Sequence, residues 1–224
     1  MLDYIANFFL SFTHFPLLFL LVIIGSLRWG RGFFLPTVFL VAFDIVVNVA
    51  LKGTFKIPLA ASLHKVGYAF PSGHMQLATV FYCWLASLIA SRPGRSLIMV
   101  LLIGIGASLI HFGYHNLYDV IGGFVSGILL IAMLRWLFVH HPHSFFKTLF
   151  WTASVLMMYN GLMYQAIPRH AWLAYFAIGL LFLMQRMAVV YRARHTVGAG
   201  MVDGQSGRTW LTPGGGLLKK RMGE

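Results

Sequence analysis

The chain has 224 residues, of which 59% are hydrophobic and only 10% are charged, with a net charge of +12. Soluble domains of this size typically carry about 25% charged residues. These proportions exclude a soluble Rossmann or barrel enzyme and a disordered chain, and the single Cys83 excludes an intrachain disulfide. The sequence predicts an all-α protein, a polytopic bundle of transmembrane helices.

Apolar runs of bilayer-spanning length alternate with polar, Gly and Pro residues. They predict six or seven membrane spans, placed at 8–27, 32–51, 74–91, 96–112, 117–139, 148–166 and 171–190. Short connections make neighbouring spans antiparallel. Residues 1–190 are thus expected to form one transmembrane domain, followed by a basic, Gly-rich cytoplasmic tail at 191–224. The segment Met1–Phe12 is too short to cross the membrane alone and is expected to lie flat on the outer face.

The distribution of basic residues predicts the orientation of this bundle. When the connections are assigned alternately to two sides, 13 of the 17 basic residues fall on one side. Because Lys and Arg concentrate in cytoplasmic loops, that side is predicted to be cytoplasmic and the N-terminus external. The other side receives Lys52, Lys56, Lys65 and Arg169. Three of these four lie between Lys52 and Gly73, which indicates either an anion-binding segment or an ordinary solvated loop.

Two histidine-containing segments are predicted at this outer face. The first, Phe70-Pro71-Ser72-Gly73-His74, directly precedes an apolar run, and its Pro, Ser and Gly indicate a helix start. Free backbone N–H groups and the positive end of the helix dipole favour an anion there. A packing or interface role for His74 is the simpler alternative.

The second segment runs from Ser108 to Asp119. Gly113 is a candidate cap for the end of one helix and Asn116 for the start of the next, with Asp119 completing a capping box. Asp119 is alternatively the orienting partner of His115, accepting a hydrogen bond from one ring nitrogen and leaving the other free as a nucleophile. An acid at a span edge is a functional-site candidate, as is Asp44 inside the second span.

The order of these motifs resembles the type 2 phosphatidic acid phosphatase (PAP2) superfamily. Its pattern is Lys-x6-Arg-Pro, then Pro-Ser-Gly-His, then Ser-Arg-x5-His-x3-Asp. The second block matches in full at 71–74, and the third matches at Ser108, His115 and Asp119. Gly113 and the Asp-Val-x-Gly-Gly stretch at 119–123 also agree, so that the resemblance covers roughly residues 40–135.

The resemblance implies a lipid phosphatase that works through a phosphohistidine, without a cofactor or metal. In that scheme His115 attacks the lipid phosphate, Asp119 orients it and His74 protonates the leaving group. Lys52, Ser72 and the Gly73 amide hold phosphate oxygens. The expected substrate is a lipid phosphate or diphosphate at the periplasmic face of a bacterial inner membrane. Partners are then lipid and bilayer, with no nucleic acid.

Two arginines of the family pattern are missing. Leu109 stands at the arginine position of the third block, and Leu59 and Ala60 stand at the Arg-Pro positions of the first. In the family these arginines clamp the phosphate, and one such contact is worth about 1.5–3 kcal/mol. Possible substitutes are Lys56, Lys65 and His111, with Ser108 as a further phosphate-binding candidate. Lysine lacks the fork of arginine and binds less directionally.

Three alternatives stay open from the sequence. The first is a lipid phosphotransferase of the same superfamily, which passes the phosphoryl group to another alcohol. The second is a non-enzymatic relative that has lost activity with its arginines. The third is a metal site of His111, His115 and Asp119, which are spaced i, i+4, i+8; the helix-end signals at Gly113 and Asn116 argue against this stripe. The sequence identifies neither the lipid nor the oligomeric state.

Overall fold

The computed structural model describes residues 1–64 and 66–202, with the side chains of Arg31, Ser62 and residues 192–202 left out. Apart from one isolated bridge and a short 3₁₀ turn, the regular elements in those ranges are helices, which confirms the predicted all-α class. The helices are α1 (Leu2–Ser11), α2 (Phe15–Trp29), α3 (Arg31–Phe55), α4 (Gly73–Leu88), α5 (Arg92–His111), α6 (Leu117–His140), α7 (Phe145–Met163) and α8 (Arg169–Val202).

Six predicted spans correspond to α3–α8, but the first, at 8–27, is not continuous. The chain breaks between α1 and α2, which meet at a bend of 50°. Thr13 directs both its backbone N–H and its hydroxyl to the carbonyl of Leu10, at 2.9 and 2.8 Å, and so ends α1. Pro16 in the first turn of α2 restarts the helix, because proline needs no N–H partner there. Apolarity alone did not reveal this local interruption.

Within the described part of the chain, four helical segments are long and apolar enough to cross a membrane: Gly32–Phe55, Arg92–His111, Leu117–His140 and Arg169–Tyr191. The bent pair of α1 and α2 makes a fifth if it counts as one span. By length and composition the chain is therefore an integral membrane protein. At 16 residues, α4 is about 24 Å long, which is shorter than a typical hydrocarbon core of about 30 Å.

Helix α4 is nonetheless the most enclosed element, because it lies between two apolar clusters. Val80 and Trp84 pack into a cluster built with α3, α6, α7 and α8. Phe81 and Tyr82 pack into a second cluster with α1, α2 and α5. This position holds the start of α4 in a fixed place relative to the helices around it.

The chain divides into two compact units, Met1–Leu183 and Met184–Glu224. The first contains α1–α7 and the start of α8, and it holds all the residues discussed below. In the second, the helix continues to Val202. The predicted basic tail at 191–224 lies almost entirely outside the residues whose side chains are described, and residues 203–224 lie outside the described structure altogether.

Candidate active site

The turn between α5 and α6 carries His115 and Asp119. Helix α5 ends at His111, and Gly113 adopts a left-handed conformation at φ +64°, which favours glycine. Helix α6 begins after Asn116, whose side chain accepts from the Asp119 amide at 2.8 Å while the Asp119 carboxylate accepts from the Asn116 amide at 3.1 Å. Both predicted caps are thus confirmed, and together they fix the turn on which His115 sits.

His115 and Asp119 form a buried pair. The Nδ1 atom of His115 lies 3.5 Å from Oδ2 of Asp119, and the two side chains are 7% and 4% exposed. The contact is longer than a well-formed charge-assisted hydrogen bond, and Nδ1 has no other partner in the described structure. Because Nδ1 faces the carboxylate, Nε2 is the ring nitrogen left for chemistry.

The start of α4 is tied directly to this turn. The backbone N–H of Ser72 donates to the backbone carbonyl of Asp119 at 2.9 Å, and Ser72 caps α4 by accepting from Met75 N. Close approach depends on glycines of α6: a Cβ at Gly123 would lie 2.6 Å from the Ser72 carbonyl oxygen, and one at Gly122 would enter the Phe70 ring. The two motifs therefore form one rigid unit at one end of the bundle.

A cavity of about 570 Å³ opens at the same end. His74 and Gly73 line it from the first turn of α4, and Lys52 lines it from the last turn of α3. The His74 side chain is exposed into this space. Within the described structure the backbone N–H groups of Gly73 and His74 have no acceptor. They are unbonded donors at the positive end of a helix dipole, an arrangement that suits an anion.

Lys52 is anchored while its charge remains available. Its Nζ donates to the carbonyl oxygen of Tyr68 at 2.8 Å, which leaves two further donor positions on the ammonium group. The Lys52 charge interacts electrostatically with His74, His115 and Asp119. One lysine thus acts on all three residues to which the family resemblance assigns chemistry.

The electrostatic environment of His115 favours the neutral imidazole. Burial lowers the pKa of His115 below its usual range, because the charged ring loses hydration, and the positive charge of Lys52 lowers this pKa further. Asp119 opposes both effects through its charge and hydrogen bonding. A neutral ring retains the lone pair that a nucleophile needs.

The wall of the cavity is supported by a polar network inside the bundle. Asp44, Asn48 and Lys52 recur every four residues of α3 and all line the cavity. Asn48 donates to the Gln76 side chain at 3.0 Å, and Gln76 donates to Asp44 at 2.9 Å. Ser126 of α6 adds a bond of 2.9 Å to Gln76. Sequence reasoning singled out Asp44 but missed Gln76, because only packing shows that α3, α4 and α6 meet there.

Other candidate phosphate-binding residues lie elsewhere. The Nε2 atom of His111 is hydrogen-bonded to Oδ1 of Asp3 in α1 at 2.8 Å. His111 and Ser108 line a separate cavity against α1. The Ser108 hydroxyl donates to the Gly104 carbonyl within α5. Lys56 is exposed at the end of α3 and is not among the residues lining the 570 Å³ cavity.

The predicted substitutes for the missing arginines therefore do not gather around His74. Leu109 is fully buried in the second apolar cluster and supports α5 from inside. Lys65 lies outside the described residues. Of the lysines and arginines whose side chains are described, only Lys52 lines the cavity.

The alternative of a metal site formed by His111, His115 and Asp119 does not agree with the local geometry. Helix α5 ends at His111 and α6 starts at Leu117, so His115 lies in the intervening turn and the i, i+4, i+8 spacing does not run along one helix. Among the described residues, no group of three or more His, Cys, Asp or Glu side chains is arranged to hold a metal ion.

Two histidines of the cavity escaped the sequence-based search. His14 precedes α2 and His170 is the second residue of α8, and both line the cavity with His74. Neither belongs to a recognisable motif. The only available signal was the predicted antiparallel order of the spans, which brings the starts of α2, α4 and α8 to the same end.

The fold and site together define an integral membrane bundle with a buried His–Asp pair and a second histidine beside a cavity. The model of the PAP2 superfamily matches residues 33–143, a stretch that contains Lys52, His74, His115 and Asp119. The chain belongs to this superfamily, whose members are typically phosphatases. Together with the apolar helices, the family points to a membrane-bound enzyme of phosphatase type that acts on a phosphate substrate. A comparison with solved structures gave no significant match.

Proposed function

We propose that this protein removes phosphate from a lipid phosphate or diphosphate through a phosphohistidine at His115. The observation that carries the proposal is the joining of the two motifs. The His115–Asp119 pair and the first turn of α4 share a backbone hydrogen bond, and His74 and Lys52 stand at the adjoining cavity. A nucleophile, an orienting carboxylate, a proton donor and a cation are thereby grouped at one end of the bundle.

In the first step Nε2 of His115 attacks phosphorus and the bond between phosphorus and the lipid oxygen breaks. Asp119 stabilises the positive charge that develops on the ring through Nδ1, and the 3.5 Å separation shortens as this charge grows. His74 donates a proton to the departing oxygen. Lys52 and the amides of Gly73 and His74 stabilise the negative charge spread over the phosphoryl oxygens.

In the second step water replaces the lipid alcohol. His74, now deprotonated, takes a proton from the attacking water, whose oxygen bonds to phosphorus. The bond between phosphorus and Nε2 breaks, inorganic phosphate leaves and His115 returns to its neutral form. The step uses His74, which lines the cavity, and His115, which lies in the adjoining turn and is not among the cavity-lining residues.

Several features support a lipid as the substrate. Phe15, Pro16 and Leu77 contribute apolar surface to the cavity, and Lys52 and His74 contribute polar surface. An amphiphile presents a charged headgroup and an apolar chain to two such surfaces. Two helices that line the cavity, α3 and α8, are long enough to cross a bilayer, so a membrane lipid has direct access to the bundle. Phosphatidic acid, phosphatidylglycerol phosphate, undecaprenyl diphosphate and lipid A are the family-level candidates.

The proposed location of the site is the periplasmic face of a bacterial inner membrane. Thirteen of the 17 basic residues belong to the opposite connections and the tail, which favours a cytoplasmic position for them. Reporter fusions at the C-terminus test this orientation: a cytoplasmic reporter should be active there, and a periplasmic reporter should be inactive.

The decisive experiment measures phosphate release from this lipid panel in detergent for the parent and for His115→Ala. Release by the parent together with loss in the variant supports the proposal, and equal release by both refutes it. His143→Ala, at the α6–α7 connection, is the matched control. An acid-labile phosphoenzyme that is absent from His115→Ala identifies the intermediate. Transfer to an added lipid alcohol instead of water identifies the phosphotransferase alternative, and the absence of any phosphoenzyme supports the non-enzymatic one.

A further inference from the structure

Two histidines reach the cavity from outside the matched family segment. His14 lies before residue 33 and His170 lies after residue 143, the limits of the family match. Both side chains are exposed and line the same cavity as Lys52 and His74. They are not hydrogen-bonded in the described structure, in contrast to His111, which pairs with Asp3.

The two histidines are electrostatically connected to the proposed phosphate site. The charge of Lys52 interacts with His170, and that of His14 interacts with His74. Asp44 is the single carboxylate among the residues lining this cavity, and its Oδ1 already accepts a bond from Gln76. An anion at the cavity centre would therefore face mainly potential donors and cations.

The site needs donors that the matched segment does not supply. Leu109 stands at the position of one family arginine and is fully buried in an apolar cluster. No neighbouring charged side chain among the described residues can take over the role of that arginine there. Leu59 and Ala60 stand in place of the Arg-Pro pair. Of the lysines and arginines whose side chains are described, Lys52 alone provides a fixed cation at the cavity, whereas phosphoryl transfer spreads negative charge over three oxygens.

The starts of three helices meet at this cavity. His14 and Phe15 belong to the start of α2, Gly73 and His74 to that of α4, and His170 to that of α8. Each helix directs the positive end of its dipole to this region, which favours a bound anion and opposes bound cations. The two histidines therefore lie where three helix ends favour an anion.

We propose that His14 and His170 bind the substrate phosphate and together replace the arginines missing from the matched segment. The inference rests on the proposed function for the identity of the substrate, but phosphate recognition itself is separable from hydrolysis. Each protonated imidazole donates one N–H to a phosphate oxygen within the cavity. This device makes binding depend on pH, which a clamp of arginines does not.

The test uses inorganic phosphate as the probe and the full chain in detergent. Binding to the parent, His14→Gln, His170→Gln and the control His143→Gln is measured by calorimetry at pH 6. We expect Kd to increase about 10-fold for each cavity variant, the effect of one lost charge-assisted contact, and to stay within twofold for the control. Unchanged affinity in both cavity variants would overturn the inference.

A second variant separates a binding role from a structural one. His170→Arg carries a fixed charge, so it should bind phosphate at least as tightly as the parent and lose less affinity between pH 6 and pH 8. The ionisation of phosphate affects both proteins equally and cancels in this comparison. Parallel pH dependence in the two proteins, or weaker binding by correctly folded His170→Arg than by His170→Gln, would contradict the proposal.

The hydrolysis assay keeps the two proposals distinct. Phosphate binding that depends on His14 and His170, in a protein that releases no phosphate from any lipid, supports this inference and refutes the proposed hydrolysis. Hydrolysis in which both glutamine variants retain the parental KM refutes this inference and leaves the catalytic proposal intact. A rise in KM with a nearly unchanged kcat is the expected pattern.

Discussion

Replacing Asp119 with asparagine isolates the charge of the orienting carboxylate. Asparagine keeps the size of the side chain and an oxygen able to accept from the Asn116 amide. The backbone carbonyl of residue 119 also stays available to Ser72 N. The variant should therefore fold while losing the interaction with the ring of His115.

The size of the expected effect follows from the geometry. Two unit charges separated by the 3.5 Å between His115 Nδ1 and Asp119 Oδ2 attract each other by about 4.7 kcal/mol at an effective dielectric constant of about 20. A hydrogen bond to a charged group contributes about 1.5–3 kcal/mol. The attraction is strongest when the ring is positively charged, as it is during phosphoryl transfer. Because each 1.36 kcal/mol changes the rate about tenfold, these two values predict a fall in kcat of between about 10-fold and about 3 × 10³-fold.

The assay is initial-rate phosphate release from the lipid that gives the highest parental activity. Asp3→Asn is the matched control, because it removes an aspartate that contacts a histidine at 2.8 Å but on an exposed surface. Its kcat should stay within twofold of the parent. Asp119→Asn with parental kcat and parental thermal stability would refute the orienting role, whatever the activity of the control.

Three further predictions concern the cation, the nucleophile and the packing of the site. Lys52→Met should raise KM and lower kcat, with kcat/KM reduced at least 10-fold. The control Lys147→Met on α7 should leave KM and kcat unchanged. Equal kinetics in the two variants would contradict the role of the cavity lysine. Because burial and the Lys52 charge lower the pKa of His115, the acidic limb of kcat/KM should lie below pH 6.5, and Lys52→Met should shift it to higher pH. Because the pKa of His115 is lower in the folded protein than in the unfolded chain, the unfolded chain takes up this proton at a higher pH. The contribution of His115 to the free energy of unfolding is therefore lost as pH falls below about 6.5. A series of thermal melts at different pH values checks this sign. Gly123→Ala should destabilise the protein by about 1–3 kcal/mol, since its Cβ would lie 2.6 Å from a backbone oxygen, whereas Gly161→Ala, with its nearest atom at 3.9 Å, should be neutral or slightly stabilising in the same denaturation assay.

The helix boundaries around the His–Asp pair were predictable because their causes are local. Gly113 ends α5 through a backbone conformation that suits glycine, and Asn116 and Asp119 start α6 through bonds only three residues apart. Such interactions need no information about distant parts of the chain. For the same reason the pattern of apolar runs predicted α3–α8 with small errors at their ends, except that α8 continues to Val202 and the predicted span ends at 190.

Long-range contacts had to be seen in the structure. His111 appeared suited to a phosphate or metal site by its spacing, yet it pairs with Asp3, 108 positions earlier in the chain. The break at Thr13 also depended on local hydrogen bonds that an average of hydropathy does not register. For His111 the residue type was informative, but the identity of its partner was not encoded in the spacing.

The sequence by itself determined the membrane-helix class, the family motifs and the chemical types of the catalytic candidates. Only the tertiary structure decided which helix ends surround the cavity, and so brought His14 and His170 to the same cavity as Lys52. The physical reason is that hydrophobicity and capping act over a few residues, whereas the composition of a cavity depends on which helices pack together. A chain with few charges restricts the candidates, but packing determines which of them share one space.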